Sequence, residues 1–220
     1  EVTPGIYQVR GYDISNITFV RSDNGWIVID PLTVAETAAA ARQLVDTHFG
    51  ELPIMAVIYT HSHLDHFGGV RGIVSETDVA EGRVQIVAPS GFLEAAVSEN
   101  VIAGPAMRRR AMYMYGILLP SGPDAHVDCG LGKQMPFGTS GLIAPTVDIT
   151  QTGQTLVIDG VTIEFQLTPG TDSKALFRYE MHTLPGEIDQ ESASIGTSTL
   201  LAAWNAAVYV AQIEDERLSE

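Results

Sequence analysis

Cysteine is almost missing from this chain. Cys129 is the only one among 220 residues, so no disulfide can close within it and its thiol content does not reveal a compartment. Basic residues are scarce too: 12 Lys and Arg stand against 27 Asp and Glu, a formal net charge of −15. That balance argues against a nucleic-acid partner, because phosphate binding needs clustered cations. The densest basic run, Arg108-Arg109-Arg110, is short and sits inside an apolar helical pattern. It reads as a solvated helix face or a local anion contact. No apolar run approaches the roughly 18 residues of a membrane span. Internal repeats and low-complexity tracts are absent. The start at Glu1, with neither Met nor signal-peptide pattern, is expected of a mature or trimmed form.

What is present is a globular composition, 45% hydrophobic and 18% charged, sufficient for a real core in one large domain or one domain with an appendage. Apolar β-rich runs alternate with helical patterns. ITFVRSDNGWIVID predicts a hairpin turning at Asn24-Gly25, and TLVIDGVTIEFQLT a second one turning at Asp159-Gly160. TVAETAAAARQLVDTHFG predicts a helix with Thr33 and Glu36 as a capping box and Gly50 as its stop. IMAVIYT, RVQIVAP and KALFRYE predict strands, and SGFLEAAVSENV a helix. GPAMRRRAMYMYGILL predicts a longer helix whose Met and Tyr residues read mainly as core. Residues 120 to 140 predict a loop, and STLLAAWNAAVYVAQIEDERLSE a C-terminal helix. The interleaving predicts an α/β or mixed αβ class.

Histidine is unevenly spread. Three of the six fall in THSHLDHFGG, directly after the apolar strand, with Asp65 between the second and third. Imidazole is the commonest protein ligand for zinc. Alternate residues of an extended segment point the same way, so His61 and His63 can share one metal. Asp65 and His66, after a bend, can serve a second metal or the same water. Gly68 and Gly69 would let the backbone turn sharply into the next element. A chance match to this spacing is on the order of a few in ten thousand. Metals here would lower the pKa of a bound water, with Asp65 ligating or orienting the resulting hydroxide for hydrolysis of an ester, amide, phosphate or sulfate. Four donors in one loop cannot fill two sites.

Asp30, ending a strand before Pro31, is placed to hydrogen-bond the histidine loop. Asn16 reads as a buried hydrogen-bonding residue or a pocket-lining one. His48 reads as a helix C-terminal imidazole. His126 and Cys129 have spacing suited to a metal but are too few.

THSHLDHFGG after an apolar strand resembles the signature of the metallo-β-lactamase superfamily. Four longer stretches, PGIYQVRGYDISNITFVRSDNGWIVIDPL, YTHSHLDHFGGVRGIV, VIAGPAMRRRAMYMYG and LIAPTVDITQTGQTLVIDGVTIEFQLTPGT, resemble its alkylsulfatases, which are SDS-hydrolase-like enzymes. The resemblance runs from about residue 1 to 171. It implies an αββα sandwich of two mixed sheets with metals at one edge, a catalytic domain over residues 1–171 and a divergent strand and helix over 172–220. It also implies two zinc ions per chain, the first bound by His61 and His63 and the second by Asp65 and His66. Tyr113 or Tyr115, beside the sulfate pocket, becomes a candidate contact to the ester.

The family also has two downstream glutamates and a later histidine as ligands. Here Thr168-Pro169-Gly170-Thr171 is followed by Asp172-Ser173-Lys174, where a family glutamate is missing. KALFRYEMH offers Glu180 and His182 as a shortened counterpart, and no histidine follows His182. Three readings stay open: a shortened homologue recruiting Asp172, Glu180 or His182, a chain that has lost one metal site, or a sequence incomplete near residue 171.

The function implied is zinc-dependent hydrolysis of alkyl sulfate esters such as dodecyl sulfate. The substrate would be a small amphiphile, with Met112, Met114 and Leu118 along its tail. The alternatives are a non-catalytic remnant, or a hydrolase of the same fold acting on a lactone, thioester or β-lactam. A sandwich short of its second half exposes apolar edges, so a homo-oligomer is expected. By resemblance the compartment would be periplasmic or extracellular.

Overall fold

The computed structural model describes residues 1–129 and 132–168, together with the backbone of three later strands, 175–180, 198–201 and 210–212. Two sheets face each other. The first has six strands in spatial order β1 (Ile6–Val9), β2 (Ile17–Arg21), β3 (Trp26–Ile29), β4 (Ile54–Ile58), β5 (Gln85–Pro89) and β6 (Val147–Ile149). Its first two pairings are antiparallel, and β3 through β6 run parallel. The second sheet is antiparallel, in spatial order β11 (Val210–Gln212), β10 (Ser198–Leu201), β9 (Ala175–Glu180), β8 (Val161–Leu167) and β7 (Gln154–Ile158).

Both faces of the first sheet are covered, so its central strands read as continuous apolar runs; WIVI in β3 is buried at every position. One face packs on helix α1 (Ala35–Phe49), whose buried Ala38, Ala41 and Val45 form a single stripe, in a core that includes Phe19, Val28, Val57 and Ile86. The other face sends Ile27, Ile29, Ala56, Ile58 and Val87 against Ile158, Val161, Ile163 and Phe165 of the second sheet. The second sheet obeys period two. Val161, Ile163 and Phe165 point inward along β8, while Glu164 and Gln166 point out. Among the described residues the layers are therefore α, β and β.

Both predicted hairpins form. Asp159 and Gly160 carry φ of 43° and 82°, the positive pair that a two-residue turn between Ile158 and Val161 requires. The two turns also lock together, because Asn24 donates its backbone N–H and its side-chain amide to Asp159 at 2.7 Å each.

Three expectations need correction. The capping box at Thr33 and Glu36 does not form: the Thr33 hydroxyl donates to Asp13 at 2.7 Å, and Glu36 accepts from the backbone N–H and hydroxyl of Thr139 at 2.8 and 3.0 Å. Tertiary partners outcompete the local cap. The helix expected at the C-terminus is instead strand at Ser198–Leu201, which pairs with the open edge of β9, and at Val210–Gln212, which pairs with β10 in turn; the rest of that segment lies outside the described residues. Helix α4 (Gly104–Met114) does form, after α2 (Glu76–Ala80) and α3 (Phe92–Val97), but none of its residues is buried. Its Met and Tyr side chains are therefore not core, and Arg108, Arg109 and Arg110 are all exposed, as a solvated face requires.

Gly68 and Gly69 lie in the turn expected there, and close packing rather than backbone freedom is what requires glycine. Neither takes a positive φ. A Cβ on Gly68 would collide with the carbonyl oxygens of Thr33 and Leu64, and one on Gly69 with those of Pro31 and Val34. They are small so that the histidine loop can lie directly on the segment entering α1. Gly69→Ala is thus expected to cost about 1–3 kcal/mol in urea unfolding. Gly104→Ala, where a Cβ meets open space at the start of α4, should leave stability unchanged or slightly higher.

Candidate metal centre

Strands β3 and β4 are parallel neighbours, so their C-terminal ends emerge at the same edge of the first sheet. The chain leaving β3 begins with Asp30, and the chain leaving β4 begins with Tyr59, Thr60 and the histidine loop. Ligand sites of open sheets collect at this kind of edge. The adjacency makes Asp30 the neighbour of a loop thirty residues away. Its carboxylate is fully buried. It accepts the Thr60 backbone N–H at 2.9 Å, the Thr60 hydroxyl at 2.7 Å and the Nδ1–H of His66 at 2.7 Å. Asp30 and Leu32 both adopt positive φ, at 55° and 64°, on either side of Pro31. A buried leucine in that region is strained, and such strain persists only where the surroundings impose it. Here Leu32 is held by the bond from Gly69 N–H to its carbonyl, at 2.8 Å.

The loop side chains converge. The His61 ring centroid lies 4.6 Å from that of His63 and 4.0 Å from that of His66. His61 Nε2 is 3.1 Å from His63 Nδ1, and His66 Nε2 is 3.2 Å from Asp65 Oδ2. Atoms bound to one tetrahedral zinc at about 2.0–2.1 Å sit about 3.3–3.4 Å from each other. Each of the two pairs therefore has nearly the spacing of two ligands sharing an ion. The far nitrogen of each ring meets a protein oxygen: His61 Nδ1 the Thr60 hydroxyl at 2.8 Å, His63 Nε2 the Glu99 carboxylate at 3.0 Å, and His66 Nδ1 that of Asp30. Such bonds fix the tautomer and aim the other nitrogen at the shared point.

Burial alone would raise the Asp65 carboxyl, yet His66 beside it, together with His61 and His63, holds it well below the usual carboxylate range. Burial would lower His66, but the Asp65 and Asp30 carboxylates outweigh it and push the imidazole well above its ordinary value. The carboxylates favour positive charge inside the cluster. It is the donor set that fits a divalent ion, in pairs. Among the described residues no three or more His, Cys, Asp or Glu side chains are arranged around one ion, so each pair calls for further ligands. Of those expected from the sequence, Glu180 is described only as backbone, in β9 opposite Thr162, and His182 lies outside the described residues.

The two tyrosines part company. Tyr113 is 86% exposed on the outside of α4. Tyr115, the residue that closes α4, is half-buried, and its hydroxyl is pushed up by burial and then by the Asp65 carboxylate, which places it near the cluster. Met114 and Leu118 are exposed and Met112 is partly so. Asn16 is buried, and His48 bonds the Leu44 carbonyl at 2.8 Å at the end of α1. His126 Nε2 is 4.0 Å from Cys129 Sγ, too few donors for an ion. Sequence reasoning missed Glu99 and Ser15, whose hydroxyl donates to the Asp65 carbonyl. Neither carries a local signal, since both reach the loop from distant elements.

A mixed sheet with opposed histidine and histidine–aspartate pairs at the end of a parallel strand defines a metallohydrolase-like architecture. The chain belongs to the metallo-beta-lactamase superfamily, whose sequence pattern it matches over residues 10–163. Membership implies divalent-metal binding, typically of zinc. It is 55% identical over 179 residues to a linear primary-alkylsulfatase of Pseudomonas sp., covering 81% of this chain and 27% of that protein. It is 49% identical over 173 residues to an alkyl/aryl-sulfatase of Saccharomyces cerevisiae, covering 79% and 27%. The solved structure of the stereoselective inverting sec-alkylsulfatase Pisa1 from Pseudomonas sp. superposes with a TM-score of 0.77 at 48% identity, over 82% of this chain and 29% of that one. The chain thus spans about a quarter of the length of the relatives it matches. Among the described residues no helix is long and apolar enough to cross a membrane.

Asp30→Asn removes an acceptor that Thr60 and His66 share. Zinc affinity, measured by competition with a chromophoric chelator, is expected to fall roughly 10–100-fold.

Proposed function

We propose that this chain carries the metal-holding part of a zinc-dependent alkyl sulfate ester hydrolase. The observation behind it is the pairing of His61 Nε2 with His63 Nδ1 and of His66 Nε2 with Asp65, 3.1 and 3.2 Å apart, in a chain about half identical to named alkylsulfatases. In this reading His61 and His63 hold one zinc, Asp65 and His66 a second, and Glu180 and His182 complete the set. Zinc supplies a water of lowered pKa and positive charge for the sulfate head.

The chain's own groups do the rest. Asp65, kept ionised, accepts a hydrogen bond from the attacking water. Tyr115, whose hydroxyl feels the Asp65 carboxylate, is the candidate to donate a hydrogen bond to a substrate oxygen, and the 86% exposed Tyr113 is not. The half-exposed to exposed Met112, Met114 and Leu118 offer an apolar surface for the alkyl tail of a small amphiphilic substrate. The homo-oligomer expected from the sequence would bury other exposed apolar side chains, among them Val101 and Ile102.

The test is sulfate release from dodecyl sulfate by the zinc-loaded chain, beside a lactone, a thioester and a β-lactam. Sulfate release that disappears on chelation and in His61→Ala supports the proposal. Turnover of another substrate class but not of dodecyl sulfate overturns the substrate. Zinc uptake without any turnover would make the chain a binding subunit.

A further inference from the structure

Glu99 reaches the histidine loop from a separate element. Helix α3 ends at Val97, and residues Ser98–Ile102 form a π-helical turn before α4. The bond from Ala103 N–H to the Ser98 carbonyl, at 2.9 Å, spans five residues and widens the helix there. π turns of this kind often mark functional positions. Two successive residues of the turn grip two successive residues of the loop. Glu99 Oε1 meets His63 Nε2 at 3.0 Å, and Glu99 Oε2 accepts the Ser62 hydroxyl at 3.2 Å. Asn100 donates from its amide nitrogen to the carbonyls of Ser62 and Ala96, each at 2.9 Å, so the turn is pinned to both the loop and its own helix.

We infer that Glu99 is a positioning residue for the metal centre: it holds the proton of His63 on Nε2 and leaves the Nδ1 lone pair aimed at the point shared with His61. The inference rests on the metal-holding reading of the loop. The chemistry is that of Asp30 acting on His66, supplied from the opposite side. His63 needs such a partner more than His61 does. His61 is buried, and its Nδ1 already meets Thr60; His63 is partly exposed, and without an acceptor at Nε2 its ring is free to rotate or to switch tautomer. A carboxylate at that nitrogen also raises the basicity of Nδ1 toward an ion. Because α4 begins where the π turn ends, the same contact fixes the start of the helix that carries Tyr115 toward the site.

The experiment uses the 220-residue chain, its Glu99→Ala and Glu99→Gln variants, and zinc alone. Zinc affinity is read by chelator competition, and the ring nitrogens of His63 by nitrogen-15 NMR in metal-free protein. The parent ring should carry its proton on Nε2. Glu99→Ala should bind zinc roughly 10–100-fold more weakly, with an unchanged urea midpoint when metal-free. Glu99→Gln, whose amide oxygen accepts the same bond, should recover most of the affinity. A parent His63 protonated on Nδ1, an unchanged affinity in Glu99→Ala, or a Gln variant as weak as the Ala variant overturns the inference while leaving the metal centre standing. A parent chain that takes up no zinc overturns both.

Discussion

The buried carboxylate of Asp30 is the contact on which the site depends. A fully desolvated carboxylate is tolerated only when its lone pairs are used, and this one accepts three hydrogen bonds from the loop that leaves β4. Two of them go to Thr60, whose hydroxyl oxygen in turn meets His61. The third orients His66. One carboxylate thus aligns two imidazoles, directly and through a threonine. The strained turn at Asp30, Pro31 and Leu32 and the bare backbones of Gly68 and Gly69 follow from the same demand, because the two chain exits must lie in contact for the bonds to form.

Charge sets a second constraint. A chain with a net charge of −15 repels an anionic substrate at long range. Recognition of the proposed sulfate head would then be local, within reach of a cation. The cluster supplies that place: the ionised Asp65 and the raised His66 show an environment built around positive charge, and imidazoles released from their proton are what a divalent ion requires.

Much of this was legible in the sequence. The clustering of the histidine loop, its parent strand, Asp30 as its hydrogen-bond acceptor and both hairpins are local patterns, and local patterns survive folding when the tertiary structure agrees with them. The failures lie where partners are distant. Thr33 and Glu36 look like a cap, but Asp13 and Thr139 claim their side chains. The apolar spacing of α4 looks like core, yet no residue of the helix is buried. Glu99 has no motif of its own; only a π turn, which no short-range pattern announces, brings it to His63.

The most direct test of the account is zinc uptake by the metal-free chain as a function of pH. The Asp65 and Asp30 carboxylates raise the His66 pKa well above its ordinary value, so protons compete there with a bound ion. Uptake should release protons, and affinity should rise as pH climbs from the ordinary imidazole range toward the raised value of His66, by up to about tenfold per unit for each proton lost. Uptake indifferent to pH, or no uptake at all, would contradict a metal centre built from these pairs.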